Sequence, residues 1–231
     1  SVNSFDEESN TLANASSPIY LYGDDPFYMT VVQRKIISGV DDNAAATDGT
    51  INWNWNYSWS VSGSVPSGEF DLISTAKHEL LHAMGFVSLV TAPGTNSTRE
   101  HWTTFDRYLT NSSGNSLISS EGVWQGFDSA LVSGQLFFNG PNAVAANGGN
   151  PVELYAPASW AGGSSVGHLD ESNGEALMNA FTDTGNGPSG LSAVEIGMLQ
   201  DLGYEFNVIP EPGSTVFLLS GAVFFLRRRK R

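Results

Sequence analysis

The chain has 231 residues, no cysteine and a net charge of −14, which predicts one domain of roughly 200 residues with a tail and excludes disulfide bonds. Five of its ten basic residues are the last five, so the remainder carries five basic and 24 acidic residues, a net charge of −19. An acidic body of this kind argues against binding to nucleic acid or to anionic membranes.

The first half of the chain contains one ambiguous segment and one strand pattern. Residues 27–37 fit a helix and a strand equally, because their aliphatic residues suit both spacings. Residues 51–59 alternate apolar and polar side chains without a break. This alternation predicts a single strand with one buried aromatic face.

Residues 70–85 predict an amphipathic helix. Asp71 or Ser74 can cap its first turn, and Gly85 suits the left-handed conformation that often ends a helix. Its apolar residues recur at helical spacing and predict one buried face, made of Leu72, Ala76, Leu80, Ala83 and Met84. The opposite face is expected to border a cleft.

This helix carries His78 and His82, two of the four histidines in the chain. Residues four apart lie on one helix face, so the two imidazoles can reach one metal ion. Glu79 lies one step around the helix, where it is badly placed to be a ligand and well placed to accept a proton from metal-activated water. The pattern predicts a catalytic zinc site with Glu79 as its general base.

A catalytic zinc ion needs a third protein ligand. In the compact form of the His-Glu-x-x-His zinc motif, the third ligand lies three residues after the glycine that ends the helix. Here that position is Ser88, whose neutral hydroxyl is a poor zinc ligand. Glu100 and His101 are candidates, although residues 102–109 read as an amphipathic helix with these two on its polar surface. His168, followed ten residues later by Met178, is the favoured candidate, and Glu100 and His101 stay open as alternatives.

The second half of the chain is poor in regular patterns. Residues 111–165 are rich in Gly, Ser, Asn and Ala and predict a loop-rich insertion with short strands, including a turn at residues 147–151. Calcium is a weaker possibility, because acidic pairs are usually solvated and the ordered spacing of a calcium loop is absent. The acidic residues considered are Asp24, Asp25, Asp41, Asp42, Asp170 and Glu171.

The C-terminus has the pattern of a sorting signal. Residues 209–213 (Ile-Pro-Glu-Pro-Gly) precede an apolar run at residues 216–226, which is shorter than the roughly 20 residues of a membrane helix, and then the basic residues 227–231. This order resembles the PEP-CTERM signal of Gram-negative bacteria, which implies cleavage by an exosortase at the inner membrane. A plain C-terminal anchor is the alternative. Residues from Ser1 onward show no secretory leader, so we expect a leader that has been removed or a chain that is a fragment.

The zinc motif also carries a family resemblance. His78-Glu79-x-x-His82-Ala83-Met84-Gly85-Phe86, the distant His168 and Leu177-Met178 resemble the leishmanolysin-like branch of the metzincin metalloproteases, in its bacterial form because cysteines are missing. Residues 191–204 are similar to the helix that closes such domains. The resemblance covers about residues 30–206. It implies an α+β fold with a twisted sheet over the zinc helix, an irregular C-terminal subdomain, and Met178 beneath the metal.

The sequence therefore predicts a protease domain at residues 1–207 and a sorting signal at residues 208–231. The expected protein is an exported zinc endopeptidase of the cell envelope or extracellular matrix that acts on proteins or peptides, with Tyr155 or Tyr204 as candidates to stabilise the oxyanion. One alternative is a non-catalytic envelope or biofilm-matrix scaffold or adhesin. Another is a zinc hydrolase of non-peptide amides. Substrate preference and oligomeric state are not predicted.

Overall fold

The computed structural model describes residues 2–4 and 10–206, so the predicted sorting signal at residues 208–231 lies outside the described residues. Helices and short strands are mixed along the chain, in agreement with the α+β class. The α-helices are α1 Val31–Ser38, α2 Leu72–Ala83, α3 Pro141–Ala146 and α4 Ala193–Asp201. The strands are β1 Val2–Ser4, β2 Ala13–Ser16, β3 Phe27–Tyr28, β4 Thr50–Trp53, β5 Trp59–Ser60, β6 Phe70–Asp71, β7 Trp102–Thr103, β8 Leu109–Asn111, β9 Leu136–Phe138 and β10 Val152–Glu153.

The strands form small sheets around α2. In one sheet, β4 lies between β1, which is parallel to it, and β2, which is antiparallel. Both β2 and β4 contact α2, so this sheet packs on the helix that carries the histidine motif. A second, antiparallel sheet has the order β10-β9-β8, and the pairs β3–β7 and β5–β6 are parallel.

The strand predicted over residues 51–59 is interrupted. Strand β4 ends before Asn54, because the side-chain oxygen of Asn54 accepts the N–H of Asn56 and closes a turn. The chain extends again only at Trp59, and Trp55 in the turn is 54% exposed. The prediction of a single strand from the alternating pattern was therefore wrong, because a local asparagine turn competes with the extended chain.

Residues 27–37 contain both of the structures that their pattern allowed. Strand β3 is followed by α1, which begins at a capping box in which the Thr30 hydroxyl accepts the N–H of Gln33 and the Gln33 side chain accepts the N–H of Thr30. The helix ends at Gly39 in the left-handed conformation. The buried Thr30 cap marks the point where the strand gives way to the helix.

The amphipathic helix predicted over residues 102–109 is wrong. This segment forms β7, a single 3-10 turn at Asp106–Tyr108 and β8. Trp102, Phe105 and Leu109 are all fully buried, so the segment crosses the core. Its backbone is extended on both sides of the 3-10 turn and does not form the surface helix that the pattern predicted.

The limits of α2 are confirmed. Asp71 caps it by accepting the N–H groups of Ile73 and Ser74, both at 3.0 Å, and Gly85 follows it at φ +102°. The predicted buried face was wrong at Leu80, which is 51% exposed, whereas Ala83 is buried and Met84 packs against the core. The buried positions of the helix also include Glu79, which is 3% exposed, so this acidic residue lies on the side that packs into the protein.

Residues 111–165 have the predicted short strands and the turn at 147–151, together with the unpredicted helix α3. The segment is not peripheral, however. Many of its apolar side chains are part of the main core: Leu117, Ile118, Leu131, Leu136, Phe138, Ala143, Val152, Leu154 and Ala156. A loop-rich composition therefore did not mean that the segment lies outside the domain.

The predicted C-terminal helix is confirmed as α4, which begins at a Ser192–Glu195 capping box. It packs closely on α3, because a Cβ at Gly197 would lie 2.7 Å from the backbone oxygen of Asn142. After α4, the Tyr204 hydroxyl donates to the Met84 carbonyl at the end of α2. No helix in the described part of the chain has the length and apolar character needed to cross a membrane.

A chain that ends at Phe206 is expected to fold and to bind metal like the full chain, because the core residues run from Phe27 to Tyr204. Circular dichroism, thermal unfolding and metal titration of both proteins test this. Loss of folding on truncation would show that the domain extends into the tail.

Candidate metal centre

Three imidazoles meet at the inner face of α2. His78 and His82 come from the helix and His168 from a distant segment, and their Nε2 atoms are separated by 3.0 Å (His78–His82) and 3.2 Å (each of the two to His168). Within residues 2–4 and 10–206, this is the one cluster of three or more His, Cys, Asp or Glu side chains close enough to share a metal ion. The helix alone supplies only two of its members.

A backbone carbonyl fixes the tautomer of each ring. The Nδ1 atoms of the three histidines lie 2.6–2.8 Å from the carbonyl oxygens of Leu177, Phe86 and Ser164. A carbonyl can only accept, so each Nδ1 carries the proton and donates it. Each Nε2 is therefore left with a lone pair that points toward the other two.

This arrangement fits a metal ion. Three Nε2 atoms without protons cannot hydrogen-bond to one another, whereas a cation placed between them could bind all three lone pairs. Tetrahedral ligands at about 2.05 Å from zinc would be about 3.3 Å apart, close to the observed separations. Burial lowers the pKa of all three imidazoles, that of His82 to about 3 with the help of His78, which favours the neutral form that binds metals.

Glu79 is the acidic group beside these imidazoles. It is 3% exposed, and its Oε2 has no hydrogen-bond partner among the described residues. Burial raises the pKa of its carboxyl to about 7. A buried, unpartnered carboxyl oxygen on the metal-facing side of α2 is suited to exchange a proton with a bound water molecule.

Backbone hydrogen bonds join His168 and its neighbours to the segment Leu177-Met178 (the methionine segment). The N–H of Leu169 donates to the Met178 carbonyl at 2.8 Å, and the N–H of Tyr155 donates to the His168 carbonyl at 2.9 Å. The Met178 side chain is fully buried. The segment that supplies the third imidazole is thus paired with the segment whose Leu177 carbonyl holds His78.

Ser88 binds another residue of the protein. Its hydroxyl donates to Asp106, and the second carboxylate oxygen of Asp106 accepts the N–H groups of Leu89 and Thr103. The loop that follows Phe86 is thereby fastened to the core. Ser88 thus helps to hold the loop beside His82. The third imidazole of the cluster is that of His168.

An open cleft of about 1230 Å³ borders the metal centre, as expected for this helix. The three histidines and Glu79 contribute to its wall, and residues 10–15, which include part of β2, line another side. Tyr57 and Phe70 line it too, with their rings 5.3 Å apart in an edge-to-face contact. The cleft wall contains four acidic residues and neither lysine nor arginine: Glu79, Glu171, Glu175 and Asp183.

The alternative third ligands lie elsewhere. His101 packs its ring edge-on to Tyr28, Glu100 is exposed, and neither lines the cleft. Neither of the tyrosines considered for the oxyanion lines the cleft. The buried Tyr204 hydroxyl is bound to Met84, and Tyr155 lies against Phe181 outside the cleft lining.

The possible calcium ligands are mostly engaged by protein groups. Asp25 pairs with Arg107, Asp41 with Lys35 and Asp42 with Arg34. Asp170 caps the short 3-10 turn at Glu171–Asn173. Because the histidine trio is the one candidate metal cluster in the described chain, the structure gives no support to a calcium site there.

No residue pattern in the sequence indicates the groups that orient the ligands. Three backbone carbonyls hold the imidazoles, and Glu195 holds one of the peptide groups involved through a 2.7 Å bond from the Met178 N–H. Every residue has a backbone carbonyl, so these groups leave no pattern in the amino-acid sequence. A glutamate at the third position of a capping box is explained by the cap alone.

Comparisons with known proteins add no identification. No family model, no curated protein and no solved structure matches this chain. The assignment of the site therefore depends on its own geometry.

Replacing His168 by Ala is expected to weaken zinc binding severely, because it removes one of three converging nitrogens. His101→Ala is the matched control and should bind zinc like the unmodified chain. Competition titration against a chromophoric chelator measures both. Equal affinities in the two variants would contradict the proposed ligand set.

Proposed function

We propose that the protein is a zinc-dependent endopeptidase. The observation that carries this proposal is the convergence of three Nδ1-protonated imidazoles beside a buried glutamate, on the wall of an open cleft. Three neutral nitrogen ligands with space left for water are typical of a catalytic zinc site, whereas a structural site usually closes with a fourth protein ligand. Bound there, zinc would supply the Lewis acidity that activates water and polarises a carbonyl group.

In this proposal Glu79 moves the proton. As a carboxylate it accepts a proton from the attacking water, and it then donates that proton to the amine that leaves as the peptide bond breaks. Its burial favours both steps, because a carboxyl group whose pKa is raised to about 7 both accepts and releases a proton near neutral pH.

The cleft suits an extended peptide. Among the described residues β2 pairs on one side only, with β4, and Ala13–Ala15 line the cleft. An extended substrate can add to such a free edge through backbone hydrogen bonds. This arrangement favours a protein or peptide substrate over a small non-peptide amide.

Glu79→Gln is expected to retain zinc and to lose about 100- to 10,000-fold in the rate of peptide cleavage, because the metal ligands remain and the proton acceptor is gone. Glu100→Gln is the matched control, since Glu100 is exposed and outside the cleft. Zinc content and cleavage of casein or peptide libraries are the measurements.

Full activity of Glu79→Gln would reject Glu79 as the base. Zinc-loaded protein that cleaves no peptide or protein, in the unmodified chain and in Glu100→Gln alike, would favour the scaffold or adhesin. Cleavage confined to non-peptide amides would favour the alternative of a zinc hydrolase that acts on such amides.

We also propose that the protein is exported and that its C-terminal signal is cleaved. The proposal rests on three features that follow one another at residues 209–231: the motif, the apolar run and the basic cluster. Protein recovered from the envelope or matrix of a Gram-negative host is expected to lack residues 227–231. Intact mass or C-terminal peptide mapping checks this. Retention of those residues on extracellular protein would contradict processing by an exosortase.

A further inference from the structure

We propose that Glu195 is a positioning residue of the metal centre, acting on His78 through a single peptide group. Glu195 lies on α4, outside the cleft lining, and is 1% exposed. Its Oε1 accepts the N–H of Met178 at 2.7 Å, and its Oε2 accepts the N–H of Ser192 at 2.7 Å.

The Met178 N–H and the Leu177 carbonyl belong to the same peptide group. That carbonyl accepts the Nδ1–H of His78 at 2.6 Å, the shortest of the three bonds that hold the imidazoles. The result is an unbroken chain from carboxylate to peptide to imidazole, which ends at the Nε2 that faces the metal position. Metal-binding histidines often donate directly to a carboxylate, and here one peptide group lies between the two.

This chain has two consequences for His78. The carboxylate fixes the rotation of the Leu177–Met178 peptide, and with it the direction in which the ring is held. It also polarises the peptide, because successive hydrogen bonds in a buried site strengthen one another. A more electron-rich carbonyl draws the Nδ1 proton closer and makes Nε2 a better ligand.

Helix capping does not account for both carboxylate oxygens. A capping box needs one oxygen, which accepts the Ser192 N–H, together with the bond from the Glu195 N–H to the Ser192 hydroxyl. The other oxygen reaches Met178, 17 residues back along the chain. Since α4 can be capped without it, this second bond serves the methionine segment.

The inference rests on the metal-binding part of the proposed function and not on peptide hydrolysis. The two therefore fail separately. An unmodified chain that binds no zinc would remove the proposed function, whereas a defect confined to Glu195 variants concerns this inference alone.

Glu195→Gln is the first test, since glutamine keeps the size but loses the charge and cannot satisfy both N–H donors with one carbonyl oxygen. Its zinc dissociation constant is expected to rise about 10- to 100-fold. In the NMR spectrum of the zinc-loaded protein, the His78 Nδ1 proton should move upfield because its hydrogen bond weakens. The Nδ1 protons of His82 and His168 should stay in place.

Ser192→Ala is the matched control. It removes the hydroxyl from the same capping box and loosens the start of α4, but it leaves the carboxylate on Met178. Zinc affinity and the His78 resonance should match those of the unmodified chain, even if the melting temperature falls. An equal loss of zinc affinity in Ser192→Ala would show that only helix stability matters and would overturn the proposal.

Unchanged zinc affinity and an unmoved His78 resonance in Glu195→Gln would also overturn it. If circular dichroism shows that Glu195→Gln does not fold, Glu195→Asp decides, because it keeps the charge and draws the carboxylate back by one methylene group. A shifted His78 resonance in that variant supports the inference, and a resonance at its original position overturns it.

Discussion

The structure is organised around the contact of three neutral imidazoles whose lone pairs face one another. Such a contact is repulsive without a cation, so the protein has to hold each ring in place from behind. It does so with backbone carbonyls, from Leu177, Phe86 and Ser164, which fix both the tautomer and the orientation. Because carbonyls are fixed by the path of the chain, the geometry of the centre becomes a property of the fold.

That dependence explains why two carboxylates around the centre are buried and hydrogen-bonded to the backbone. Asp106 fastens the loop after Phe86, and Glu195 fastens the peptide after Leu177. Each is a buried carboxylate that accepts backbone N–H groups, a costly group to bury unless its bonds are made. These bonds hold in place the segments that contain the Phe86 and Leu177 carbonyls.

Several features followed from local chemistry and could be predicted. The limits of α2 depend on the Asp71 cap and on Gly85, and α4 depends on its Ser192–Glu195 box. Both signals act within a few residues. The errors had two causes: a local turn at Asn54 interrupted an alternating pattern, and the nonlocal core buried Trp102 and Phe105, which the pattern had assigned to one side of a surface helix.

By itself the sequence determined the helix that holds His78, Glu79 and His82, because a spacing of four residues places two imidazoles on one helix face. It favoured His168 as the third ligand and left Glu100 and His101 open as alternatives. Only the tertiary structure made the choice, by pairing Leu169 with Met178 and so bringing His168 to the centre, while His101 packs against Tyr28. The reason is physical. Spacing along a helix is fixed by local geometry, whereas the approach of two residues 90 positions apart depends on how the whole chain packs.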